Sequence, residues 1–182
     1  EYLEIIKKQI KQIENLVNQF SDFARMPKPI LKDNNLVLII DENLKLLEEM
    51  DNKIKIHFDS NSEQIIFNSD YEQLSRVFFN LLKNGIESIQ EKAIKSTNYM
   101  GKINIELFDN NDEIGVTIED NGMGFEMFAD NVKNILNPYF TTKTKGTGLG
   151  LAIVNKIVND HNGLIDFIPA DNGAKIQIKF IK

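Results

Sequence analysis

Residues 1–25 carry an apolar seam that one helix cannot bury alone. Leu3, Ile6, Ile10, Ile13, Val17, Phe20 and Ala24 recur alternately three and four apart, the heptad spacing of a coiled coil or helical bundle. Ile5, Leu16 and Phe23 widen that stripe towards a bundle face. Most helical stability in proteins comes from packing such a face, so the seam asks for a partner helix or for a fold back onto its own chain. Pro27 and Pro29 then stop the helix, because proline lacks the N–H and disfavours helix in the residue before it. Met26–Pro29 reads as a stiff hinge. Two parts are therefore expected, residues 1–28 and residues 29–182.

The second part has the length and apolar content for a core of its own. Of 182 residues, 42% are hydrophobic and 26% charged, ordinary values for a globular protein. Asp33-Asn34-Asn35 offers an N-cap for a helix over 36–50. Lys53–Phe58 alternates as a strand, with Gln64–Phe67 as a short partner. Ser69 or Asp70 caps a long helix through Leu74, Val77, Phe78, Leu81, Leu82 and Ile86. Ile103–Phe108 and Ile114–Ile118 form a hairpin around Asp109–Asp112. A loop-rich stretch over 121–147 holds one short helix near 131–136. A helix over Leu149–Val158 and two strands, Leu164–Ile168 and Ala174–Ile181, close the chain around a turn at Asp171–Gly173. Antiparallel strand pairs interleaved with helices predict an α+β fold of two layers, a mixed sheet with helices on one face.

Several function classes fall away on composition. The chain has no cysteine, hence neither a disulfide framework nor a thiolate metal site. A net charge of -6 opposes broad nucleic-acid binding, which needs a basic face. No apolar run approaches the roughly 20 residues of a membrane-spanning helix, and no signal peptide heads the chain. The sequence opens inside a helical pattern without an initiating Met, so a longer parent protein is expected.

Three polar-glycine stretches carry the chemistry: Asn80–Asn84, Asp120–Gly124 and Gly146–Gly150. Asn80 and Asn84 lie four apart on one helix face. Two amide oxygens there suit a hard cation such as Mg2+, which completes its shell with water and phosphate oxygens. A polar surface stripe is the plainer alternative, although both residues sit in an apolar segment where an unpaired polar group costs about 1–3 kcal/mol. Asp120 ends a strand, and its carboxylate can accept a hydrogen bond from an exocyclic amine such as N6 of adenine. Gly122 and Gly124 would permit positive φ and close approach to a flat ring; an Asp-Asn-Gly turn is also a common loop. Gly146, Gly148 and Gly150 open a helix, where backbone N–H groups form an anion site. The G-x-G-x-x-G and G-x-x-x-x-G-K-[ST] fingerprints are both unmet. Phe140–Gly146 is polar in character, as expected of a lid over a nucleotide.

From Asn80 to Ala152 the chain resembles the catalytic and ATP-binding domain of sensor histidine kinases, in the superfamily shared with gyrase and Hsp90. Asn80 and Asn84 match the N box, Asp120–Gly124 the G1 box, Asn137–Thr142 the F box and Gly146–Gly150 the G2 box. Asn172-Gly173-Ala174 resembles the terminal glycine-alanine turn. Phe20–Pro29 is similar to the end of the second dimerisation helix of nitrogen-regulation sensors, especially the NtrY-like group. The resemblance implies that Asp120 binds adenine, that Asn84 ligates Mg2+ with Asn80 assisting, and that Gly146, Gly148 and Gly150 face the phosphates. Phe140 would seat the lid. Gly122, Gly124, Thr142, Lys143, Thr147 and Leu149 complete the expected ATP-contacting set, and Tyr139 lies beside it.

Two departures refine that expectation. Related ATPases that hydrolyse ATP carry a water-activating glutamate where this chain has Asn80, which cannot act as a base. The site is thus expected to hold ATP for transfer to another nucleophile. Many sensor kinases have a lysine where this chain has Glu87, so positive charge must come from Lys83, Lys143 or Lys145. The two histidines, His57 and His161, lie outside any histidine-glutamate segment on a dimerisation helix and read as structural. The resemblance therefore implies a kinase portion that binds Mg-ATP but does not phosphorylate itself. It would act in the cytoplasm beneath a parent anchored in the inner membrane, dimerise through residues 1–28, and serve a response-regulator receiver domain. Nucleic-acid and membrane contacts are not expected of it. An ATP-hydrolysing clamp and a non-catalytic docking module are the rival readings.

Overall fold

In the computed structural model of the chain, residues 2–48, 53–95, 99–124, 132–141 and 146–182 are described. The heptad segment forms one helix, α1 (Tyr2–Ala24). Its seam stays bare: Leu3, Ile6, Ile10, Ile13 and Val17 are each at least half exposed. The C-terminal end of α1 meets the rest of the chain, where Phe23 and Met26 pack against the core. The Phe20 ring also stacks on Tyr139, with centroids 6.3 Å apart. Past the prolines, the Ile30 N–H donates to Asp70 at 2.8 Å and the Gln73 amide donates to the Pro27 carbonyl at 3.0 Å.

The next segment departs from expectation. Lys32–Asn35 is a strand, β1, directly followed by α2 (Leu36–Glu48). Asn35 still caps α2, its Oδ1 accepting from the Val37 N–H. The three residues Asp33-Asn34-Asn35 carry turn chemistry, yet pairing with β3 (Ile66–Ser69) draws them into a ladder. β3 thus partners β1, and not the strand expected for it. That strand, β2 (Lys55–Ser60), pairs in parallel with β4 (Lys102–Asp109). A parallel pair needs a crossover, and α3 (Tyr71–Lys95) lies within it. β5 (Glu113–Asp120), β7 (Ala174–Ile181) and β6 (Gly163–Ile168) continue the sheet in antiparallel steps, giving the order β2-β4-β5-β7-β6. α4 (Gly150–Asp160) and a short 3-10 helix (Val132–Leu136) complete the regular elements among the described residues. The mixed sheet and the α+β class are as expected.

Strand register decides which side chains meet the helices. Ile103, Ile105 and Leu107 of β4 sit opposite Asp120, Ile118 and Val116 of β5. Those in turn face Ala174, Ile176 and Ile178 of β7. Side chains at such register positions share one face, and all of these are buried. α3 covers that face with Leu74, Val77, Phe78, Leu81, Leu82, Ile86 and Ile89, all nearly inaccessible to solvent. The outer face is polar, with Lys175 paired to Glu119 at 3.0 Å and Lys179 to Glu113 at 3.7 Å. One consequence governs the site: Asp120 lies on the core side of the sheet, a carboxylate among apolar neighbours.

Candidate nucleotide site

Asp120 is the last residue of β5 and is buried, 8% exposed. A buried carboxylate requires hydrogen-bond donors, and the Gly122 N–H supplies one at 2.8 Å to Oδ1. Opposite stands α3, and Gly85 explains how it comes so close. A Cβ at Gly85 would lie 3.5 Å from Asp120 Oδ2 and 3.4 Å from Ile103 Cδ1. An isolated glycine within a long helix has a packing reason of this kind.

Asn84 immediately precedes Gly85, and Asn80 lies one turn earlier on the same helix. Asn80 Nδ2 donates to the Arg76 carbonyl at 2.9 Å. That bond leaves Oδ1 turned towards α4, where a Cβ on Gly150 would lie 3.6 Å from it. Asn80 therefore presents an oxygen, not an amide N–H, at the start of α4. Leu149 is the N-cap residue and makes no side-chain cap hydrogen bond. First-turn N–H groups of a helix lack intrahelical partners and carry positive partial charge. α3 thus carries Asn80 beside the start of α4 and, further along the same helix, Gly85 against Asp120.

The glycines have distinct tasks. Gly124 and Gly148 have φ of 74° and 66°, a region that strongly favours glycine. Gly148 also lies so close to the Tyr139 backbone that a side chain would strike it, and its carbonyl accepts from the Tyr139 N–H at 3.0 Å. The Tyr139–Phe140 segment and the glycine loop are thereby fastened together. Gly122 differs from expectation, because its φ is not positive. Space is what it requires: a Cβ there would stand 2.8 Å from the Ile89 backbone N and would collide with Ser88.

Phe140 is half-buried, whereas Tyr139 and Gly146 are exposed and Thr147 is half-buried. The Leu149 side chain lies in the core, so any ligand contact of that residue must be through its backbone. Thr142, Lys143 and Lys145 lie outside the described residues. Lys83 is engaged with Glu87 one turn on, 3.9 Å away and near the surface, so that pair partly cancels. His161 is buried and bonded at both nitrogens: Nε2 accepts from the Asp70 N–H at 2.9 Å, so Nδ1 carries the proton that the Ile157 carbonyl receives at 2.8 Å. It joins the end of α4 to the start of α3. His57 is exposed on the outer face of β2.

Sequence reading missed the residues behind the Asp120 loop. Ser88 Oγ accepts from the Met123 N–H at 2.9 Å, and Lys92 donates to the carbonyls of Asn121 and Gly122 at 3.0 and 2.8 Å. Both continue the Asn80–Asn84 face at steps of four, which was the available signal.

A strand-flanked carboxylate, a helix bearing asparagine oxygens and a glycine-opened helix on a mixed sheet define a nucleotide-binding ATPase fold. Residues 69–182 match the model of the histidine kinase-, DNA gyrase B-, and HSP90-like ATPase family. A Rickettsia conorii protein described as an NtrY-like sensor histidine kinase is 36% identical over 98% of this chain. The chain spans 29% of that relative's length. The solved catalytic domain of histidine kinase ThkA, without nucleotide, is 30% identical, with TM-score 0.70 over 84% of this chain and 95% of that one. Histidine kinase ThkA in complex with response regulator protein TrrA matches all of this chain and half of its own, at 25% identity and TM-score 0.75. The chain belongs to this ATPase family, as a sensor-histidine-kinase catalytic domain of the NtrY-like type.

Proposed function

We propose that the chain binds Mg-ATP and serves as the kinase portion of a two-component sensor, donating the γ-phosphoryl to a histidine outside residues 1–182 for relay to a response-regulator aspartate. One observation carries the reading: a single helix, α3, sets the Asn80 oxygen beside the start of α4 and, at Gly85, packs against the Asp120 carboxylate. Asp120 receives the adenine amine, and Gly122 and Gly124 contact the nucleotide through their backbone. The backbone at Gly146–Gly150 receives phosphate oxygens, with Thr147 beside it, and Phe140, Thr142 and Lys143 close over them.

The donor set fits a magnesium ion. Asn84 is the chief ligand and Asn80 assists, its oxygen already turned inward by the bond to Arg76. Mg2+ accepts few protein oxygens and keeps water and phosphate for the rest of its shell. When bound it would neutralise phosphate charge. Asn80 has no proton-accepting capacity for water activation, so the residues orient the triphosphate and leave it for an external nucleophile.

The exposed seam of α1 supports residues 1–28 as the second helix of a dimerisation hairpin, with 29–182 as the catalytic domain. Homodimerisation of the parent would cover that seam. The ThkA complex supports a receiver domain as the downstream partner. Among the described residues no helix is long and apolar enough to cross a membrane; membrane anchorage would belong to the parent, with this portion in the cytoplasm.

Calorimetric titration with a non-hydrolysable ATP analogue tests the reading. The chain should bind it, Asp120→Ala should abolish binding, and Asn84→Ala should remove chiefly its dependence on Mg2+. Absence of binding at millimolar nucleotide sinks the proposal. Rapid ATP turnover by the chain would favour the clamp ATPase instead, since neither histidine is placed as an acceptor and self-phosphorylation is not expected.

A further inference from the structure

Two peptide planes follow Asp120, and their orientation fixes the carboxylate. In the Asn121–Gly122 peptide the carbonyl points at the Lys92 ammonium, 3.0 Å away, while the N–H points at Asp120 Oδ1, 2.8 Å away. In the Gly122–Met123 peptide the carbonyl also meets Lys92, at 2.8 Å, and the N–H reaches Ser88 Oγ at 2.9 Å. C=O and N–H point in opposite directions across a trans peptide, and this chain has no cis bond among the described residues. Whatever holds the two carbonyls therefore aims the two N–H groups.

Lys92 is built to hold them. An ammonium has three donors, and its third contact is the side-chain oxygen of Asn172 in the turn before β7. The Tyr99 ring lies 5.3 Å from the same nitrogen, within cation–π range. The Tyr99 hydroxyl donates to the Asn121 carbonyl as well. The Asn121 side chain completes the clasp, accepting from the Lys102 N–H at 2.8 Å and donating to the Met100 carbonyl at 3.0 Å. On the far side, Gly173 adopts φ of 88° and abuts the Asp120 carbonyl. One ammonium thus ties together α3, the loop after β5 and the turn before β7.

We infer that Lys92, with Tyr99, is the positioning residue for base recognition: it touches no nucleotide, but sets the peptide orientation through which the Gly122 N–H fixes the Asp120 carboxylate against a purine amine. The inference rests on the nucleotide reading above. A loosened loop would let the carboxylate rotate, and the amine of adenine would lose its acceptor while the phosphates kept theirs. The consequence is a selective loss. Affinity for ATP falls, and affinity for its 6-desamino analogue, purine riboside triphosphate, hardly changes.

The experiment compares those two nucleotides, with Mg2+, on the intact chain. The wild type should prefer ATP by about tenfold or more, since a site that hydrogen-bonds a substrate amine discriminates against its loss. Lys92→Met, which keeps the aliphatic stem, should bring the preference close to unity. Tyr99→Phe, which keeps the ring and should fold even if Lys92→Met does not, should reduce it by a smaller factor. A purely structural role would lower both affinities alike. Equal losses, or a preference retained in a folded variant, overturn the inference alone. A wild type that binds neither nucleotide, or binds both equally, instead overturns the assignment of Asp120 to the base.

Discussion

α1 and α3 are the two longest helices, 23 and 25 residues, and each bears a continuous apolar stripe. Their stripes have opposite fates. Leu74, Val77, Phe78, Leu81 and Leu82 of α3 are sealed between the sheet, α2 and α4, whereas Leu3, Ile6, Ile10, Ile13 and Val17 of α1 face solvent. Periodicity thus identifies a helix and its sticky face, but not what covers that face. In α3 the cover comes from the same chain, because strands before and after it return beneath it. In α1 the proline exit removes the helix from that layer, and among the described residues the seam stays exposed.

The sharpest way to break this contrast is to truncate one apolar residue in each stripe. Phe78→Ala should cost about 3–5 kcal/mol in urea denaturation, from lost burial and an unfilled cavity. Ile10→Ala should leave the unfolding midpoint of the dilute chain nearly unchanged, since its side chain is 59% exposed. Sedimentation of concentrated chain should show the reverse ranking, with Ile10→Ala weakening self-association. A large stability loss at Ile10 in dilute solution would mean that the seam is covered within one chain after all.

The same contrast explains what could be read from sequence. α3, β4, β5 and β7 were legible because each buries one face and so imposes its period on the residues. The Asp120 and Gly146–Gly150 segments were legible because short glycine loops concentrate their requirements within a few positions. β1 was not legible, since Asp33, Asn34 and Asn35 have local turn chemistry and become a strand only through β3, over thirty residues away. The clasp of Lys92 was hidden for a like reason, its oxygens lying 29, 30 and 80 residues distant. Gly122 shows a subtler limit: the sequence marks a glycine as necessary, and only packing shows that space, not φ, is the need.

A middle-sized effect should come from the polar start of α3. His161 is buried and gives the Asp70 N–H its acceptor at the start of that helix. Asp70 itself caps the helix, its Oδ1 accepting from the Gln73 N–H at 3.0 Å. His161→Ala takes the acceptor from a part-buried N–H and empties a buried site, a loss of about 1–3 kcal/mol. The comparable change on α1, Asn18→Ala on an exposed surface, should fall within about 0.5 kcal/mol. Thermal melts of the two variants check this, and equal shifts would remove His161 from its place as a structural link.

The smallest effect belongs to Tyr71, where α3 touches α2 at the surface. Its hydroxyl donates to the Glu42 carboxylate, and that bond, partial burial and the charges of Glu42 and Glu72 raise the phenol above its ordinary pKa of 10.0. The folded chain then holds this proton more tightly than the unfolded chain does. The resulting stability is fully present below pH 10 and is lost as pH rises through the folded pKa. Solvent screens so exposed a pair, so Tyr71→Phe should cost at most about 1 kcal/mol near neutrality. Above the folded pKa the wild type should lose that advantage, and the two denaturation curves should converge. α1, with Tyr2 largely exposed, supplies the control: Tyr2→Phe should leave the neutral-pH stability within about 0.5 kcal/mol of wild type. A constant gap between wild type and Tyr71→Phe from neutral to alkaline pH would show that the ring's packing, and not its hydrogen bond, joins α3 to α2.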